Sequence, residues 1–210
     1  MGGQVESAIH RSVRALVDRD AELARQVLRD EARINQMEIE IDNLTTRLFA
    51  LRQPMAKDLR FLTSAMKINT DLERMGDLAV NIAQRALSLV AQPAVKPLID
   101  IPRMAQLVES MLLRSLDAFI KNDADIATSV LIADDEVDAL RDSVYQELVA
   151  YMQKDPSTVP AAVDLIFVAR NLERIADHAT NIAEDVVFLV KGVDVRHHAT
   201  ETHATETKEA

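Results

Sequence analysis

The chain has 210 residues, a formal net charge of −10 and no cysteine. That charge disfavours a nucleic-acid ligand, whose phosphates need a positive face, and the lack of thiols excludes disulfide frameworks, thiolate zinc sites and a cysteine nucleophile. With 48% hydrophobic but only 3% aromatic residues and four glycines, the core has to be built from Leu, Ile, Val, Ala and Met, the makeup of packed helices.

Met1-Gly2-Gly3 runs directly into the amphipathic QVESAIHRSV, without the basic start and apolar run of a secretory signal. No stretch approaches the ~18 uninterrupted apolar residues of a membrane span, so a cytoplasmic location is expected. A first helix is predicted near 3–18. Asp20 then offers an N-cap before AELARQVL. The apolar series Ile34, Met37, Ile41, Leu44, Leu48 and Leu51 draws one stripe along a second helix near 21–52. Pro54 breaks the pattern, and a third helix follows near 55–91.

The stretch AQPAVKPLIDIP from Ala91 to Pro102 carries three prolines. It reads as a linker, with a helix cap at Asp100. A fourth helix is expected near 101–121. Asp123 caps a fifth near 124–153, Pro156 through Pro160 interrupt, and a sixth runs near 158–191. The expectation is therefore an all-α chain of six helices with no β-sheet, made of two tandem, pseudo-symmetric three-helix bundles. The first spans 1–92, a linker spans 93–100, and the second spans 101–192. The tail, 193–210, repeats HATET and is too polar to fold alone.

One motif is written twice. LERMGDLAVNIA runs from Leu72 to Ala83 and LERIADHATNIA from Leu172 to Ala183. Residues four apart share a helix face, so Glu73, Asp77 and Asn81 form one row of oxygens, and Glu173, Asp177 and Asn181 another. Like charges at this spacing repel by a few tenths of a kcal/mol, so helix stability does not explain them.

Hairpin geometry indicates what faces each row, because both helices rise equally from the turn. Glu73 and Asn35 each lie about nineteen residues from Pro54, and Asp77 and Glu31 each about twenty-three. Around Pro156, Glu173 and Asp138 lie about seventeen and eighteen residues away, and Asp177 and Asp134 about twenty-one and twenty-two. Acid is thus expected to face acid, an arrangement that needs a cation or proton uptake. The all-oxygen donor set suits hard cations such as Mg²⁺ or Ca²⁺, or Mn and Fe with bridging carboxylates. Glu38 and Asp42 have similar spacing but fall opposite Asn69 and Ala65, and are read as solvated surface. Arg74, Arg174 and Lys67 offer the plainer alternative of surface ion pairs.

No HExxH, Walker A or GxGxxG sequence occurs, and no Glu-x-x-His pair of the di-iron bundles lies outside the tail. His178 has no counterpart in the first half, where Leu78 stands, and is read as a solvated or helix-face histidine rather than a ligand.

At the doubled motif, and through LRQPMAKDLRFL, EARINQMEIEIDNL, ADDEVDAL, DLIFVARNLERIADHATNIAEDV and FLVKGVDVRHH, the chain resembles the PhoU family, the accessory regulators of phosphate-specific transport. The resemblance implies tandem three-helix bundles with multinuclear metal sites at E(D)xxxD motifs. Carried onto this chain, these are Glu73 with Asp77 and Glu173 with Asp177, faced by Glu31 with Asn35 and by Asp134 with Asp138. Fe, Mn, Mg, Ca or Zn are the metals it allows. Asn35 replaces an acid, so the first-half site is expected to be the weaker. The family also starts earlier than MGG, which predicts a short first helix.

The function implied is a non-enzymatic negative regulator of the phosphate-starvation response. It would bridge the ATPase subunit of the phosphate ABC transporter and the sensor histidine kinase at the inner membrane face, as a homodimer, without nucleic acid or membrane insertion. Two alternatives are a metal-dependent hydrolase of phosphorylated compounds and a metal-free scaffold whose acidic rows bind a basic partner surface.

Overall fold

A computed structural model describes residues 1–95, 98, 100–193 and 195. Six helices are present: α1 Gly2–Val17, α2 Ala21–Arg52, α3 Ala56–Val90, α4 Asp100–Lys121, α5 Ala124–Lys154 and α6 Val159–Lys191. A 3₁₀ turn, Pro156–Thr158, joins α5 to α6. No strand occurs among the described residues, as the composition predicted. The expected tail, 193–210, lies outside the described residues apart from Val193 and Val195.

Local chemistry fixes the helix ends. Asp20 Oδ1 accepts the backbone N–H groups of Glu22 (2.9 Å) and Leu23 (3.0 Å), satisfying donors at the start of α2. Asp123 repeats the device for α5, accepting from Asp125 and Ile126. Each cap is preceded by a residue in the left-handed region, Arg19 at φ 54° and Asn122 at φ 52°, which turns the chain sharply between antiparallel helices. Asp100, expected as a cap, is instead the first helical residue of α4, where its charge still complements the helix N-terminus. Gly192 ends α6 at φ 70°, donating its N–H to the Phe188 carbonyl at 2.8 Å.

The helices pack as α1–α2–α3 and α4–α5–α6, and α3 against α6 and α1 against α4 hold these groups together. A single apolar cluster runs through both, from Val5, Ile9 and Met75 to Met104, Leu172 and Ile182. α1 has 16 residues and its counterpart α4 has 22.

The α3–α6 contact carries polar pairs within its apolar surround. Lys67 Nζ lies 2.8 Å from Asp185 Oδ1, and Arg85 Nη1 donates to Asp164 Oδ1 at 3.1 Å. Both carboxylates are buried, at 5% and 8% exposure for Asp185 and Asp164. Buried ionised groups need such partners, so the pairs fix how α3 sits on α6.

Candidate functional site

The motif helices bury the apolar members of the repeat and leave the oxygens outward. On α6, Leu172, Ile175, Ala176 and Ala179 are buried, while Glu173 keeps a half-buried position beside them. On α5, Val137 and Leu140 are buried between Asp134, Asp138 and Arg141. The α5 acids therefore line the same seam as the α6 acids.

Electrostatics record this meeting. Partial burial, then the charges of Asp177, Asp138, Asp135 and Glu173, push the Asp134 carboxyl up to about 6. Asp177 is raised by desolvation and then by Asp138, with His178, Arg141 and Arg174 opposing the shift. Asp134 and Asp138 thus lie on the same side as Glu173 and Asp177, as the equal-rise count predicted.

Asn181 departs from the row. Its Nδ2 donates to Asp71 Oδ1 on α3 at 3.4 Å, so its amide reaches toward the first repeat rather than toward α5. His178 also turns that way, with Nδ1 2.8 Å from Asp71 Oδ1. It is half-buried and ties α6 to α3, which fits neither a metal ligand nor a solvated side chain.

In the first repeat, Ile34 of α2 lies directly over Gly76 of α3. This sets Glu31 and Asn35, which flank Ile34 on α2, at the level of Glu73 and Asp77, and all four are half-buried. The Glu73 carboxyl is raised by desolvation, then by Asp77 and Glu38, while Arg74 acts against the shift. Asn81 is exposed further along α3.

Glu38 and Asp42 are not free surface. Asn69 Nδ2 donates to the Glu38 carbonyl oxygen at 3.0 Å and to Asp42 Oδ1 at 2.9 Å, and Glu38 contributes charge to the Glu73 site. The count from Pro54 placed Glu38 opposite Asn69, where it lies, and Asp42 opposite Ala65, whereas the Asp42 carboxylate also bonds Asn69. It overlooked that Glu73, one turn beyond Asn69, is within electrostatic reach of Glu38.

Arg141 is the other residue that the carboxylate pattern passes over. Its Nη1 lies 3.0 Å from Asp138 Oδ1 and 2.8 Å from Glu173 Oε1, so one nitrogen spans an acid from each side of the second seam. Its spacing of three from Asp138 was the available signal. Lys67, considered as a partner for the motif acids, is committed to Asp185 instead.

Among the described residues, no three carboxylate or imidazole groups stand close enough to share a metal ion with the side chains as placed. The donor chemistry nonetheless fits a hard cation, because the donors lining each seam are all oxygens, and the carboxylates around Asp134 add to the effect of its burial in disfavouring its charged form. Also among the described residues, no helix is long and apolar enough to cross a membrane.

Comparison with known proteins agrees with this architecture. The family model for the PhoU domain matches residues 1–86 and again 101–186, each covering one copy of the doubled motif. The phosphate-specific transport system accessory protein PhoU homolog of Pseudomonas aeruginosa is 43% identical over 198 residues, covering 94% of this chain and 82% of that protein. The homolog of the same name from Caulobacter vibrioides is 44% identical over 93% of this chain and 85% of its own length. The crystal structure of PhoU from Pseudomonas aeruginosa superposes with a TM-score of 0.89 at 42% identity, over 92% of this chain and 93% of that one. The phosphate transport system regulatory protein PhoU of Streptococcus pneumoniae gives 0.85 at 33% identity, over 92% and 91%. Two matches to one domain model, relatives aligned over nearly the whole chain and solved structures of the same fold place this chain in the PhoU family.

Proposed function

We propose that the protein is a non-enzymatic regulator of phosphate uptake and of the phosphate-starvation response. It acts as an adaptor at the cytoplasmic membrane face between the ATPase subunit of the phosphate ABC transporter and the sensor histidine kinase, with a homodimer as the working form. The relatives' names, phosphate-specific transport system accessory protein, support the transport side of this reading.

The observation that carries the site is the acid-facing-acid seam between α5 and α6, where Arg141 Nη1 spans Asp138 and Glu173 and where partial burial, then the neighbouring carboxylates, raise Asp134 to about 6. Asp134, Asp138, Glu173 and Asp177 hold a hard cation there. Glu73 and Asp77, with Glu31 and Asn35 across from them and Glu38 adjacent, hold another. When bound, the cation supplies positive charge and crosslinks neighbouring helices. Helix faces otherwise strongly negative then become rigid and closer to neutral. Regulation follows from differential affinity of those faces for two partners, a population shift that needs no bond chemistry.

The test is capture of partners from phosphate-replete and phosphate-starved cells by the tagged chain and by a Glu173→Gln, Asp177→Asn variant. The transporter ATPase or the kinase should be recovered with the parent, in amounts that change with phosphate, and less with the variant. Recovery of neither under both conditions contradicts the adaptor role. Turnover of a phosphate ester that disappears in the variant would favour the hydrolase instead.

A further inference from the structure

The two seams differ in the sign of one charge. Arg141 stands three residues after Asp138 on α5, and Glu38 stands three residues after Asn35 on α2. Asn35 and Asp138 hold corresponding places opposite Glu73 and Glu173. The second seam therefore carries a guanidinium where the first carries a carboxylate. The guanidinium is engaged: Nη1 contacts Asp138 (3.0 Å) and Glu173 (2.8 Å), one acid from each helix. Glu38 does the reverse, adding negative charge beside Glu73.

From this we infer that Arg141 is a tethered counter-ion that competes with a divalent cation for Asp138 and Glu173, so that the second seam fills at higher cation concentration than the first. The inference rests on the cation-binding reading above and reverses the order that Asn35 suggested from the sequence. The physics is direct competition. A cation entering the seam must displace Nη1 from two carboxylates, whereas a cation entering the first seam meets the Glu38 carboxylate where the second seam has that guanidinium.

The structure also provides for the displaced side chain. Asp142 receives Arg141 Nε at 3.1 Å and lies 3.0 Å from its Nη2. The guanidinium can give up both Nη1 contacts and remain paired at the mouth of the adjoining groove, lined by Tyr145, Ile166 and Arg170. Divalent cation therefore exchanges one positive charge for another in the seam and moves the first outward. The second repeat then responds to cation at a higher concentration than the first.

The experiment uses Mn²⁺ as probe, followed by the loss of its free electron-paramagnetic-resonance signal. The full chain carries Glu73→Gln and Asp77→Asn to silence the first seam, with and without Arg141→Met. Arg141→Met should tighten Mn²⁺ binding at least about tenfold, with Arg141→Lys between the two. In chelator, Arg141→Met should melt below its parent, and Mn²⁺ should restore it. The converse change, Glu38→Arg in the otherwise unaltered chain, should weaken the tighter class of sites. Equal or weaker Mn²⁺ binding in Arg141→Met overturns the competition while leaving cation binding intact. No Mn²⁺ binding by any chain, with the chelator melting difference still present, overturns both and reduces Arg141 to an ion pair.

Discussion

Ile34 of α2 lies against the bare α-carbon of Gly76 on α3, where a Cβ would stand 3.2 Å from both its Cδ1 and its Cγ2. The absence of a side chain at Gly76 lets the two helices approach at the level of Glu73 and Asp77. The equivalent residue of the second repeat, Ala176, is fully buried. Gly76→Val should overpack this contact and lower stability by about 1–3 kcal/mol, read by urea denaturation. It should also weaken cation binding in the first repeat and leave the second unchanged.

Asp134 carries a pH dependence whose sign follows from its raised carboxyl. The folded chain holds this proton more tightly than the unfolded chain, so the group favours folding fully below its ordinary carboxylate range. That contribution is lost as pH rises through about 6. In chelator, the melting temperature should therefore fall between about pH 4 and 6 more steeply than in Asp134→Asn. At pH 7 that variant should melt roughly 2–4 °C above the parent. Saturating divalent cation should remove the difference for the parent, because binding to the folded state stabilises it by mass action.

The Asp164 carboxylate joins the two repeats by accepting from Arg85 (3.1 Å), Ser88 (2.8 Å) and Gln92 (3.3 Å) of α3 and the residues just after it. Arg85 is steadied from the other side by the Phe167 ring, 4.8 Å from its guanidinium carbon. Asp164→Ala removes three bonds but leaves donors that can turn to water, so the expected loss is about 1–2 kcal/mol. A loss above that range would mean that α3 and α6 separate when the cluster is broken. Small-angle scattering of the variant would show it as an increased radius of gyration.

The six helices were legible because their ends are local events: aspartate caps at Asp20 and Asp123, prolines at Pro54 and Pro156, a glycine at Gly192. The facing of Asp134 and Asp138 with Glu173 and Asp177 was legible too, since equal rise from a shared turn is geometry rather than statistics. A reading confined to oxygen donors could not weigh Arg141, although its spacing from Asp138 was plain. Glu38 was set aside because the count compared directly opposed residues and ignored the next turn. The Asp71–His178 and Asp164–Arg85 contacts join helices from different repeats. Counting along one hairpin says nothing of how α3 lies on α6.

The account depends above all on opposed carboxylates that call for a positive ion. Metal content of the purified chain after loading with Mn²⁺, Fe²⁺, Mg²⁺, Ca²⁺ or Zn²⁺, beside Asp134→Asn with Asp177→Asn and beside Glu73→Gln with Asp77→Asn, tests it most directly. The account predicts stoichiometric hard cation in the parent, a fraction lost in each double variant, and loss of all of it when both pairs are changed together. A parent chain that holds no metal under any loading condition, or one whose metal survives all four substitutions, would contradict it.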